Sequence, residues 1–422
     1  MPSVTELRKR IEELSSTIEL RRVSNEEHQT QVLRGLEITR SDVRCDLNAM
    51  CDPVARLPVE ISSTIFVCCL PTDTDYPRPN CYDAPMLIRN VCRLWNDVAL
   101  ATPALWVGLR FDFRLSLERP SDAPSTNHLG VWLDRSGNHP LRLSLGGIIP
   151  CSMYALIKAH AHQVQALELR LSSSAWEAFG RESISFSALQ KLTLYPRTTN
   201  NTNLSHCIEI LRRAPLLVEC EFVYVYCRDG DLPISQPLIH TCLQHLRLRG
   251  ATDRSCPENI LRHITLPALE TLHITDFNIP SADFTSFLAR SAPPLRSLSI
   301  TANYDDLGAD LRLVPSLTQL TLKCWGSYNY SIDILGSLAA SQDSLLLPDL
   351  CDLTILGRFS DYYDTLLRVL QNRCRPLASL RIVLPSMTVD DKPPDHILAA
   401  LRQFAENGVR IHVGTEDNNF IQ

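Results

Sequence analysis

A chain of 422 residues, 45% of them apolar and 21% charged, can bury the cores of two or three ordinary domains, or of one short module and one extended array. Its formal net charge of -6 gives no general attraction to nucleic acid or to an anionic membrane. No apolar run approaches a bilayer span, and the N-terminus, with Glu6, Arg8, Lys9 and Arg10, lacks the apolar core of a signal peptide. The expectation is an intracellular chain, cytoplasmic or nuclear, without a membrane partner. The 15 cysteines are scattered without a C-x-x-C pair, which fits buried thiols in a reducing compartment.

In residues 1–52, Leu7, Ile11, Leu14 and Ile18 recur at four-three-four spacing, and Val32, Leu36, Val43 and Leu47 fall near one helical face. One or two amphipathic helices are predicted. The first pattern is a two-heptad, coiled-coil-like seam, which is short for a stable coiled coil, so packing on the same protein is favoured over dimerisation. The protein is expected to be a monomer apart from its partners.

Residues 53–108 change character. In Leu57-Pro58-Val59-Glu60-Ile61, Pro58 suits the first turn of a helix and Glu60 favours its N-terminus. Ile61, Ile65, Phe66, Cys69 and Leu70 then form an apolar stripe that ends at Pro71. Leu87, Val91, Leu94, Trp95, Val98 and Leu105 continue at similar spacing, more apolar surface than two or three short helices can bury among themselves. Taken in order, Leu57-Pro58-x-Glu60-Ile61, Ile65-Phe66, Val91-Cys92-Arg93-x-Trp95 and Pro103-x-Leu105-Trp106 resemble the F-box. The resemblance implies a small helical module that docks on a Skp adaptor and through it on a cullin ubiquitin ligase. It further implies an adaptor surface formed or supported by Leu57, Pro58, Glu60, Ile61, Ile65, Phe66, Val91, Trp95 and Trp106. Two departures stand out: Ser62 occupies a position that is usually apolar, and the proline- and aspartate-rich segment from Pro71 to Pro85 lengthens the link between the first two helices.

Residues 109–422 are organised by L-x-x-L-x-L. Seven copies, from Leu189-Leu192-Leu194 to Leu377-Leu380-Ile382, join two looser ones at Val164-Leu167-Leu169 and Leu217-Cys220-Phe222. Successive copies start 25, 28, 26, 26, 26, 22, 33 and 27 residues apart, room for one strand and one returning helix. Leu141-Leu143-Leu145 stands one period earlier, and Phe111-Phe113-Leu115 and Val409-Ile411-Val413 are candidate terminal strands. Helical spacing lies between strands at Ile208-Leu211, Ile260-Leu261-Ile264, Phe284-Phe287-Leu288, Ile334-Leu335-Leu338, Leu366-Val369-Leu370 and Ile397-Leu401-Phe404, with cap-like starts at Ser281-Ala-Asp283 and Ser331-Ile-Asp333. The pattern resembles a leucine-rich-repeat solenoid, and long arrays of this kind resemble those of fungal F-box-like proteins. The asparagine or cysteine usual after the last leucine is present once, as Asn303. The expected fold class is therefore an α/β solenoid, parallel strands with returning helices, behind a small all-α module and an N-terminal helical segment.

Within such strands the leucines point inward and the residues between them form an open, concave face. That face reads Glu168, Arg170, Lys191, Glu219, Glu221, His245, Arg247, Arg249, His273, Thr275, Ser299, Thr321, Lys323, Asp352, Thr354 and Arg381. Mixed charge without stacking aromatics excludes a nucleic-acid groove and fits a protein substrate. The acidic pair Glu219/Glu221 beside His245, Arg247 and Arg249 is the candidate substrate-contact patch. No G-x-S-x-G, Walker A, G-x-G-x-x-G, H-E-x-x-H or EF-hand motif is present, and His160-Ala-His162 has no neighbouring ligands, so no metal, cofactor or catalytic residue is expected. The reading is a non-catalytic substrate-recognition subunit of a Skp-cullin-F-box ubiquitin ligase, with an F-box-fold interaction scaffold outside a ligase as the alternative.

Overall fold

The computed structural model describes the chain apart from residues 1–2, 23–28, 72–75, 114–125, 172–174, 177–178, 180–181, 197–201, 227–236, 251–259, 276–278, 302–306, 325–329, 340–345, 358–362, 374, 385–392 and 422. The chain forms two compact units, Met1–Ser144 and Leu145–Gln422. None of the described helices is long and apolar enough to cross a membrane. Asn303, Leu115 and the side chains of Ser331 and Asp333 lie outside the described residues.

In the first unit, α1 (Val4–Arg22) and α2 (Gln29–Cys51) pack against each other. Leu7 and Ile18 of the heptad-like seam are buried, as is Val43 on α2. A 3₁₀ turn at Pro53–Arg56 follows, capped by Asp52, whose carboxylate accepts from the Val54 N–H at 2.8 Å. Helix α3 (Val59–Cys68) starts behind Pro58, whose carbonyl accepts from the Ile61 and Ser62 N–H groups at 3.1 Å each. Helices α4 (Met86–Arg89) and α5 (Arg93–Leu100) and a 3₁₀ turn at Pro103–Trp106 complete this part. Its core is Phe66, Ile88, Val98, Ala99, Leu105 and Trp106, all buried. Trp106 donates from Nε1 to the Ala99 carbonyl at 3.0 Å. The Trp132 ring from α6 (Thr126–Arg135) meets it edge-on at 4.9 Å, and the Arg135 guanidinium lies 4.6 Å from its centroid.

Twelve strands make one open sheet, with no closed barrel, whose spatial order is the chain order. They are β1 (Gly108–Asp112), β2 (Leu141–Gly147), β3 (Val164–Leu171), β4 (Lys191–Pro196), β5 (Glu219–Val223) and β6 (His245–Arg249). Then come β7 (Thr271–Thr275), β8 (Ser297–Thr301), β9 (Gln319–Cys324), β10 (Asp352–Gly357), β11 (Ser379–Val383) and β12 (Arg410–Gly414). Every pair from β3 to β12 is parallel. Parallel neighbours need crossovers, and helices supply many of them. These are α7 (Cys151–His160), α8 (Leu204–Arg212), α9 (Ser281–Ser291), α10 (Leu307–Leu311), α11 (Tyr330–Ala339), α12 (Tyr363–Asn372) and α13 (Asp395–Glu406).

The register aligns like with like. Leu192, Cys220, Leu246, Leu272, Leu298, Leu320, Leu353 and Leu380 are successive partners across β4 to β11, and all are buried. Two local expectations change. The apolar group Ile260-Leu261-Ile264 forms a 3₁₀ turn at Ile260–His263, with Ile264 in a two-residue parallel pairing with Leu238; one turn of apolar residues closes the compact 3₁₀ geometry without an α-helix. At α9 neither Ser281 nor Asp283 caps the helix: Pro280 takes the cap position, and the Asp283 carboxylate turns to Arg262 at 2.8 Å.

Polar side chains tie one repeat to the last. Ser291 accepts from the Leu266 N–H at 3.1 Å, the His240 ring bonds the Ala214 carbonyl at 2.9 Å, and Arg373 donates to the Leu347 carbonyl at 2.7 Å. Arg290, in the last turn of α9, makes the fullest tie, with one Nη atom on the Leu261 and Ile264 carbonyls at 2.7 and 2.9 Å and its Nε on the Thr265 hydroxyl at 3.0 Å. Arg290→Met keeps the apolar stem and strips donors from these carbonyls, so it is expected to destabilise the fold by about 2 kcal/mol. Urea unfolding measures this as a lowered midpoint at unchanged slope, with Arg290→Lys recovering part of the loss.

Candidate protein-interaction surfaces

The short helices of the first unit leave a set of large aliphatic side chains in solvent. Leu57, Val59, Ile61, Ile65, Leu87, Val91 and Leu94 are between 36% and 51% exposed, in a segment whose core is otherwise closed. On α3 the division follows helical spacing: Ile61 and Ile65 face outward four residues apart, while Ser62 and Phe66, also four apart, face inward. Exposed Cys68 and Cys69 extend the outer face.

The nine residues expected on an adaptor surface therefore divide. Leu57, Pro58, Glu60, Ile61, Ile65 and Val91 are exposed. Phe66 and Trp106 lie beneath the surface, 1% and 0% exposed, because Trp95 packs on Phe66 at 4.9 Å and Trp132 and Arg135 close over Trp106. Trp95 is half-buried and donates to the Asp52 carboxylate. Phe66 and Trp106 thus support the helices from beneath, and Trp95 is partly exposed above Phe66. Val59, Leu87 and Leu94, which the sequence reading names in the apolar pattern but not on the adaptor surface, are exposed beside them.

The sheet of the second unit presents the expected alternation, with strands such as His245–Arg249 and Asp352–Gly357 burying every second residue. The face positions fall into rows. One runs Lys191, Glu219, His245, Thr271, Ser297, Gln319, Asp352, Ser379, Arg410, and the next runs Thr193, Glu221, Arg247, His273, Ser299, Thr321, Thr354, Arg381, His412. The patch read from the sequence proves to be bonded to itself. Glu219 receives Lys191 at 3.0 Å and Arg247 at 3.4 Å, and Glu221 receives Arg249 at 3.3 Å. Glu168 likewise receives Arg170 at 2.6 Å. Both glutamates of the candidate patch are thus occupied by neighbouring strands. Such partly exposed pairs add little stability.

His160 and His162 sit at the end of α7 and in the following 3₁₀ turn, and among the described residues no group of histidine, cysteine and carboxylate side chains has the geometry to hold a metal ion.

The central imidazole of the second row, His273, is half-buried among cations. Burial lowers its pKa, and Arg247, Lys323 and His245 push it further down. The folded chain therefore holds this histidine neutral, whereas the unfolded chain takes up the proton near its ordinary value of about 6.5. The resulting stability is complete above that pH and is lost as pH falls below it. The thermal midpoint should drop more between pH 7 and pH 5 in the wild type than in His273→Gln, and equal drops would remove the assignment.

No protein-family model matches the chain, and no curated protein matches it either.

Proposed function

We propose that this protein is a substrate-recognition subunit of a Skp-cullin-F-box ubiquitin ligase, in which the residue 53–108 segment is an F-box-like module and the strand array behind it is a leucine-rich-repeat-like solenoid that holds a target protein. One observation carries the reading: a small helical module with a complete tryptophan-centred core still exposes seven large aliphatic residues from Leu57 to Leu94. Such a surface is stable in water chiefly when another protein covers it. The departure at Ser62 does not weaken that surface, because the side chain is buried and its hydroxyl donates to the Pro58 carbonyl at 3.3 Å. The proline-rich segment after α3 is also used internally: Pro77 is buried, and its carbonyl accepts from the Arg110 N–H of β1 at 2.7 Å. In this role the chain performs no ubiquitin chemistry. It raises the local concentration of a target beside a partner enzyme.

Co-expression with a Skp adaptor tests the reading. The wild type should co-purify with the adaptor. The double variant Leu57→Ala/Pro58→Ala should lose at least tenfold in affinity, and Ile61→Asp/Ile65→Asp should abolish binding at an unchanged thermal midpoint. An adaptor that ignores all four substitutions favours an interaction scaffold acting outside a ligase.

A further inference from the structure

Two arginines meet on the ring that closes the core of the first unit. The Arg135 guanidinium, in the last turn of α6, lies 4.6 Å from the Trp106 centroid, and that of Arg89, at the end of α4, lies 5.9 Å from the same centroid. Cation–π attraction accounts for either of them alone. It does not account for both, because two like charges held near one ring repel each other, a repulsion that an anion placed between them removes.

The first unit places no such anion there. Among the described residues neither guanidinium has an ion pair. Arg89 is held by two neutral acceptors, with its Nε on the Asn96 Oδ1 at 3.0 Å and one Nη on the Met86 sulfur at 3.6 Å. Arg135 donates no hydrogen bond among the described residues. Burial and the charge of Arg89 both push the Arg135 pKa down, and no described carboxylate acts in the other direction. The acids beside them in the chain are directed elsewhere: Asp83 accepts from the Asn80 side chain at 2.8 Å, Asp97 accepts from the Asn96 amide at 3.2 Å, and Asp134 does not pair with Arg135. Both arginines are only half-buried, so a solute reaches them from water.

We propose that Arg89 and Arg135 together receive one oxyanion, the carboxylate or phosphate group of a ligand, on the surface of the first unit. Guanidinium forks match the paired oxygens of such a group, and its charge offsets the repulsion between the two arginines. Position favours a carboxylate borne by a protein: α4 carries the exposed Leu87 as well as Arg89, and exposed Val91 and Leu94 follow directly in the chain. A partner that covers those aliphatic residues brings its own acidic side chains within reach. That last step rests on the reading of residues 53–108 as an adaptor-docking module, and it adds a charged contact to an otherwise aliphatic surface.

The test begins with the full chain alone and inorganic phosphate as the probe. In sodium phosphate the thermal midpoint of the wild type should stand about 2 °C above that in sodium chloride of equal ionic strength. Arg135→Met and Arg89→Met, which keep an apolar stem on Trp106, should each lose most of that shift, and Arg135→Lys should retain part of it. A guanidinium that serves only to pack on Trp106 would instead lower the midpoint in both salts and leave the shift intact. The same chains are then titrated with the Skp adaptor. An affinity about tenfold lower in Arg89→Met/Arg135→Met than in the wild type assigns the oxyanion to a carboxylate of the adaptor. Equal affinities remove the adaptor contact and assign the site to a free anion; either result supports the site once the phosphate shift is seen. A wild-type chain that binds no adaptor removes the ligase role and leaves the site to be decided by the phosphate shift. The proposal is overturned if phosphate does not raise the midpoint of the wild type, or raises it equally in the wild type and both methionine variants.

Discussion

The burial of two columns of aliphatic side chains in exact parallel register is the constraint from which the second unit follows. Leu272 sits between Leu246 and Leu298, and Ile274 beside Leu248, so each strand can bury its own residues only by lying against its neighbours. A slip of one residue would turn every leucine out and every charge in. The spacing between repeats can therefore vary from 22 to 33 residues while the strands stay aligned, since the variation is absorbed in the crossovers.

The same register dictates what the polar face can be. Parallel alignment puts equivalent face positions side by side, so charge chosen on one strand is felt by the next at about 4.8 Å. At β4 to β6 the conflict is relieved diagonally, with Arg247 leaning to Glu219 and Arg249 to Glu221, each onto a neighbouring strand. From β7 onward carboxylates all but disappear and hydroxyls take their place. Serine and threonine tolerate close like neighbours, and here they surround His273 together with Arg247, Lys323 and His245. The depressed titration of His273 reflects this: every charged neighbour acting on it is basic.

How much of this is legible in the sequence depends on how local the cause is. The strands are legible because L-x-x-L-x-L encodes both alternation and period, whereas on α3 the sequence joins Ile61, Ile65 and Phe66 in one stripe and the structure turns Phe66 inward and the other two outward. The burial of Trp106 was not visible, because the ring that covers it, Trp132, arrives 26 residues later along the chain. Nor is the self-pairing of Glu219 legible, since its direct pair with Lys191 and its diagonal pair with Arg247 both depend on register, which the leucine spacing fixes only once the strands are laid side by side. The cap-like serine before Asp283 misled for a similar reason: the carboxylate had a stronger use, a guanidinium at Arg262, supplied by the preceding repeat.

Helix α3 shows most clearly why the first unit reads as half of an interface. Its ten residues, Val59–Cys68, are apolar on both sides, with Glu60 and the hydroxyls of Ser63 and Thr64 as the polar relief. A surface helix that serves a single protein needs one apolar stripe, and Ser62, Phe66 and the closed core beneath them already provide its inward contact. The second stripe, Ile61 and Ile65, has no use inside the unit, and repacking cannot draw it in without expelling Phe66 from its tilted contact with Trp95. Burying two such side chains against a partner is worth about 1.5 to 3 kcal/mol each, and the neighbouring Leu87, Val91 and Leu94 stand exposed as well. Contact of this kind gains affinity from shape and dehydration.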